Sequence, residues 1–176
     1  MLLTAVLIGL GGWVISQWPV TPTPGVQQPV ATTATDEKAL RGQFERAVLL
    51  LQRNQFQQAA IEFNSIIDEH PDMPDAYVNQ GFALLGLEHA DTAAEYFYRA
   101  IELRPFQANA YYGLALVAEK KNDLESASGA MKSFIHLASE DDPYLPKARA
   151  ALWEWETAIK PGDDGVEEAE SAAHSD

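Results

Sequence analysis

"YVNQGFALLG" (residues 77–86) and "DTAAEYFYRAIELRP" (residues 91–105) decide the fold. Both read as helices, with Ala93, Phe97 and Ile101 recurring at the four-residue step of one helix face. The first helix nevertheless carries Gly81 near its middle, where glycine costs about 1 kcal/mol relative to alanine. A close approach of the second helix offsets this cost. With Gly81 and Ala93 leaving space at the crossing, the larger Phe97 fills the gap between them. Burying one phenylalanine contributes about 1.5–3 kcal/mol, more than the glycine penalty.

Working outward, the same pattern returns every 34 residues. Ala47, Gly81 and Ala115 keep this step, as do Ala59, Ala93 and Ala127. Phe63, Phe97 and Met131 supply the bulky position, and Ile67, Ile101 and Ile135 follow. Pro71 and Pro105 stand just past the second helices, where proline prevents continuation; the third copy has Ser139 instead. Tyr77 and Tyr111 match, with Gln43 in the first copy. Small, bulky and turn residues in one register mark an array of stacked units.

The middle copy carries the signature best: Tyr77, Gln80, Gly81 and Leu84 in its first helix, then Ala93, Phe97, Ala100 and Pro105. In these residues the chain resembles the tetratricopeptide repeat family, whose unit is a 34-residue helical hairpin, over about residues 38–139. Gln80 departs from the leucine usual in the family, and Gln43 and Arg46 depart further in the first copy. The resemblance implies an all-α solenoid of three repeats. A stacked array needs a cap on its last apolar face. "LPKARAALWEWETAIK" (145–160) supplies one through the stripe Leu145, Ala148, Leu152, Trp155 and Ile159, with Pro143 and Pro146 at its start. Trp153 falls off that stripe and is expected at the surface, as rim packing or as a partner contact.

The flanks differ in composition. Residues 1–18 hold no charged side chain and, as a helix, would measure about 27 Å, close to the roughly 30 Å of a bilayer's hydrocarbon core. One transmembrane anchor is expected there, with Trp13 and Trp18 near an interface; a cleaved signal is the alternative. Residues 19–36 are a Pro/Thr-rich linker, residues 37–160 the repeat domain with its capping helix, and residues 161–176 an acidic tail expected to be disordered. The resemblance to bacterial membrane-anchored repeat proteins, with the lack of cysteine and of basic residues before Lys38, leads to the expectation of a bacterial inner-membrane protein, single-pass, with a periplasmic repeat domain.

Composition removes several chemistries. The formal net charge is -14 and no run of Lys or Arg offers a phosphate-binding face, so nucleic acid is not an expected partner. With no cysteine, thiolate metal sites and thiol nucleophiles are absent. His70, His89, His136 and His174 fall into no paired ligand motif, and "GLGG" (9–12) lies inside the apolar segment rather than between a strand and a helix. No catalytic, cofactor or metal site is expected.

Function is instead expected on the surface formed by the first helix of each repeat. By the resemblance, groove positions fall on Arg41, Phe44, Val48, Leu51 and Gln52 in the first copy. The second gives Asp75, Val78, Phe82, Leu85 and Gly86, and the third Asn109, Tyr112, Leu116, Glu119 and Lys120. The core of this candidate protein-binding groove is Phe44, Val48, Leu51, Val78, Phe82, Leu85, Tyr112, Leu116 and Glu119. Its inner positions are apolar where one subgroup of the family places a carboxylate clamp. An apolar or amphipathic segment of a protein partner is the expected occupant. The chain thus reads as a non-catalytic, membrane-tethered scaffold or assembly factor. The alternative is a structural subunit of a membrane complex or a self-associating protein.

Overall fold

The structure, a computed structural model, describes residues 34–160. They form seven helices: α1 Ala34–Gln52, α2 Phe56–Glu69, α3 Pro74–Gly86, α4 Ala90–Leu103, α5 Ala108–Lys120, α6 Leu124–Leu137 and α7 Leu145–Ile159. Helices α1/α2, α3/α4 and α5/α6 pair as hairpins, each also touching the next in chain order, and α7 lies on α6. Helix α3 additionally meets both α1 and α5 directly, so the first helices of the hairpins stand side by side. The result is the expected all-α array with a terminal cap. Helix α1 begins at Ala34, inside the last residues of the expected 19–36 linker.

The repeat is visible in the turns as well as in the core. Asn54, Glu88 and Asn122, again 34 apart, have positive φ of 58°, 64° and 58°. Each ends a first helix in the same way. The amides of Gln55, His89 and Asp123 donate to the carbonyls of Leu50, Leu84 and Ala118, and those of Asn54, Glu88 and Asn122 to Leu51, Leu85 and Glu119. This Schellman arrangement satisfies carbonyls that a helix end otherwise leaves open and needs a left-handed residue, a role that suits asparagine better than glutamate. Entry into the next hairpin is held by the hydroxyls of Tyr77 and Tyr111, which donate to the carbonyls of Pro71 and Pro105 at 3.1 Å.

The packing answers the question raised by Gly81. A Cβ on Gly81 would lie 2.6 Å from Phe97 Cε1, and one on Gly113 would lie 2.2 Å from Phe97 Cζ. The fully buried Phe97 ring is therefore wedged between the backbones of α3 and α5. Phe63 and Phe134 are the fully buried rings of the first and third hairpins, and the cap seats Leu145, Ala148 and Trp155 on the third. Trp153 is 72% exposed, as its place off the stripe implies.

The expected inner-membrane location with a periplasmic repeat domain is corrected. Among the described residues no helix is long and apolar enough to cross a membrane. The longest, α1, carries Asp36, Glu37, Lys38, Arg41, Glu45 and Arg46 along its length. The expected anchor at 1–18, the linker up to residue 33 and the tail at 161–176 lie outside the described residues.

Candidate functional site

Helices α1, α3 and α5 line a groove of about 690 Å³, closed at one end by the start of α7. Its positions follow from helical spacing. On α5, Asn109, Tyr112, Leu116 and Glu119 succeed one another at steps of three and four, and on α3 Asp75, Val78, Phe82 and Leu85 do the same. Helix α1 contributes Val48, Leu51 and Gln52 from its second half.

The middle of the groove is apolar and aromatic. Phe82 is half-buried and sits edge-on against Phe97, ring centroids 5.1 Å apart, with the Tyr112 ring at 6.4 Å. Tyr112 in turn contacts Phe134 at 5.0 Å and Tyr144 at 5.5 Å. Val78 and Tyr112 are themselves buried, so they form the floor, while Phe82, Leu85, Leu116, Val48 and Leu51 keep part of their surface free. Phe56, at the start of α2, enters beside Gly86; a Cβ there would stand 2.4 Å from its ring.

The ends are polar. Near the first turns of α3 and α5, Gln107 Nε2 donates to Asp75 Oδ1 at 2.9 Å. Arg104 Nη1 donates to Asp75 Oδ2 at 3.2 Å and to Gln107 Oε1 at 2.8 Å. This network ties the loop before α5 to the head of α3. Lys147, from the first turn of α7, stands beside the Tyr112 hydroxyl; burial pushes that phenol above its ordinary value while the ammonium pulls it down. At the other end Lys120 pairs with Glu88 at 2.5 Å. Among the described residues no group of three or more His, Asp or Glu side chains is placed to hold a metal ion.

Eight of the nine core groove positions expected from the sequence line this groove: Val48, Leu51, Val78, Phe82, Leu85, Tyr112, Leu116 and Glu119. Phe44 does not. Its ring turns onto Phe63 at 5.7 Å and belongs to the core of the first hairpin, and Arg41, one turn earlier, is likewise outside the groove. Phe56, Asn79, Gln107, Tyr144 and Lys147 line it without having been singled out by the sequence. Tyr144 and Lys147 lie beyond the third repeat, where a 34-residue register says nothing.

The geometry defines a class, an array of helical hairpins with a lined inner groove. Residues 78–142 match a family model described as the tetratricopeptide repeat, which spans α3 to α6. No curated protein sequence matches the chain. Among solved structures it is similar to the Yersinia enterocolitica type III secretion chaperone SycD in complex with a peptide of the translocator YopD. The TM-score is 0.63 at 11% identity, covering 72% of this chain and 99% of that one. It is also similar to PcrH in complex with the chaperone-binding region of PopD, with TM-score 0.64, 13% identity, and 70% and 95% coverage. A third is the first repeat domain of Spaghetti (RPAP3) bound to an HSP90 peptide, with TM-score 0.61, 18% identity, and 70% and 95% coverage. At these identities the likeness is one of fold.

Proposed function

We propose that this domain is a non-catalytic scaffold that binds an apolar or amphipathic segment of a partner protein in the groove between α1, α3 and α5. The observation that carries this reading is the partly exposed stripe of Phe82, Leu85 and Leu116, facing Val48 and Leu51 across the groove within a polar rim. Apolar surface left open in a rimmed concavity marks a contact site. The similar structures of SycD, PcrH and RPAP3, each solved with a bound peptide or peptide region, support it.

The test is a peptide display selection against the full chain, followed by calorimetric titration of the selected peptides. Phe82 is at the centre of the groove, and loss of a central aromatic anchor costs about 2 kcal/mol or more, a thirtyfold fall in affinity. Because Phe82 also packs on Phe97, Leu116→Asp serves as a second variant; Leu116 is half-buried at the edge of the third hairpin's core and is no part of that ring pair. Both variants are expected to lose the peptide with helical content unchanged. Retained affinity in both would remove the groove as the binding surface. A dimer of the full chain that Leu116→Asp dissociates would favour self-association instead.

A further inference from the structure

The groove is apolar along its middle and charged at its ends, and its charges are not all satisfied. Asp75 is engaged by Arg104 and Gln107, and Lys120 by Glu88. Two lining residues remain. Among the described residues neither Lys147, at the α7 end, nor Glu119, in the last turn of α5, makes an ion pair. They flank the apolar stretch. Lys147 stands by the Tyr112 hydroxyl, and α5 then advances seven residues from Tyr112 to Glu119, a rise of about 10 Å, passing Leu116.

We infer, granting the peptide-binding reading above, that the occupant is a bipolar segment. It carries an aspartate or glutamate at the end laid against Lys147, a lysine or arginine at the end laid against Glu119, and apolar side chains between them over Phe82 and Leu116. The rise of about 10 Å along α5 corresponds to seven residues of a helical segment laid along it and three of an extended one. The physical reason is desolvation. A purely apolar segment would strip water from Lys147 and Glu119 and return nothing, whereas matched charges replace the lost hydration. The reversed segment would place like charges together at both ends, so the two side chains also dictate which way the segment lies. The chain's net charge of -14 acts at longer range, and physiological salt screens it over about 8 Å, leaving the near contacts to decide the order.

The experiment selects displayed 14-residue peptides on the full chain and resynthesises the binders with both termini blocked. Binders lost on Leu116→Asp are expected to carry an acid and a base at this spacing. Exchanging the two charges within a peptide is expected to weaken binding about tenfold, the effect of turning two exposed attractions into repulsions. The double variant Lys147→Glu, Glu119→Lys is expected to reverse the preference and recover the exchanged peptide. Groove binders with no charge order, or a double variant that leaves the preference unchanged, would overturn the bipolar inference while the peptide-binding reading stands. If no selected peptide is lost on Leu116→Asp, or if a second copy of the chain fills the groove, the peptide-binding reading falls and this inference with it.

Discussion

Gly113→Ala is expected to destabilise the protein although alanine is the better helix former. On an open helix surface the exchange stabilises by about 1 kcal/mol. Gly129, exposed on α6 with nothing within 4 Å of an added Cβ, is such a place. At Gly113 the new methyl would stand 2.2 Å from Phe97 Cζ, where ordinary contact is 3.4–4 Å, so the ring or the helix must move by about 1 Å. The ring cannot retreat, because its Cε1 lies 2.6 Å from the corresponding point over Gly81 and it has no free surface. Helices α4 and α5 must part. Overpacking of this kind costs about 1–3 kcal/mol, and the shortness of the contact puts Gly113 at the upper end. Less the helix-propensity gain, the net loss is about 2 kcal/mol, or about 8 °C in Tm at about 4 °C per kcal/mol. Thermal and denaturant unfolding followed by circular dichroism would compare Gly113→Ala, Gly129→Ala, Phe97→Leu and the Gly113→Ala, Phe97→Leu pair. The smaller leucine leaves room for the methyl, so the pair is expected to lose less than the sum of its parts. A Gly113→Ala protein as stabilised as Gly129→Ala would refute the wedge and the helix crossing built on it.

Glu88→Asn is expected to raise stability by about 0.5–1 kcal/mol in the same unfolding assay. It relieves a left-handed glutamate at φ 64° and gives up only an exposed pair with Lys120. Gln80→Leu is expected to add about 1–2 kcal/mol, because Gln80 is buried and its Oε1 has no hydrogen-bond partner among the described residues. An unchanged Tm would mean that water or a shifted side chain already satisfies this oxygen. Asp123 caps α6 by accepting from the Ser126 amide at 3.0 Å, and hydrogen bonding from the Ser126 side chain first, then from this amide, holds its carboxyl below the ordinary value. A lowered folded value stabilises above the unfolded value of about 3.9 and is lost as pH falls through the folded one. The Tm difference between wild type and Asp123→Ala is therefore expected to be constant above about pH 5 and to shrink below about pH 4; a difference that grows on acidification would contradict the cap.

The 34-residue step, the helical hairpins and the apolar character of the inner surface were legible from sequence. Contacts within a hairpin join residues at nearly constant offsets, and three copies superpose the same small and bulky positions, so Gly81, Ala93 and Phe97 announce their packing without coordinates. The turn residues Asn54, Glu88 and Asn122 keep the same step but were not singled out from the sequence, because only the positive φ shows what that position demands. Other features depend on how helices cross and how one hairpin stacks on the next. The crossing of α1 on α2 turns Phe44 onto Phe63 instead of into the groove, while the stacking of hairpin on hairpin sinks Val78 and Tyr112 into its floor and brings Phe56 across Gly86. Stacking also carries the first turn of α7 over Tyr112, placing Tyr144 and Lys147 at the groove's end. Periodicity assigns a residue to a helix face. Whether that face meets a core, a groove or water is set by packing between units, and which charges form no ion pair, as Lys147 and Glu119 form none among the described residues, is decided only when distant helices are brought within reach of one another.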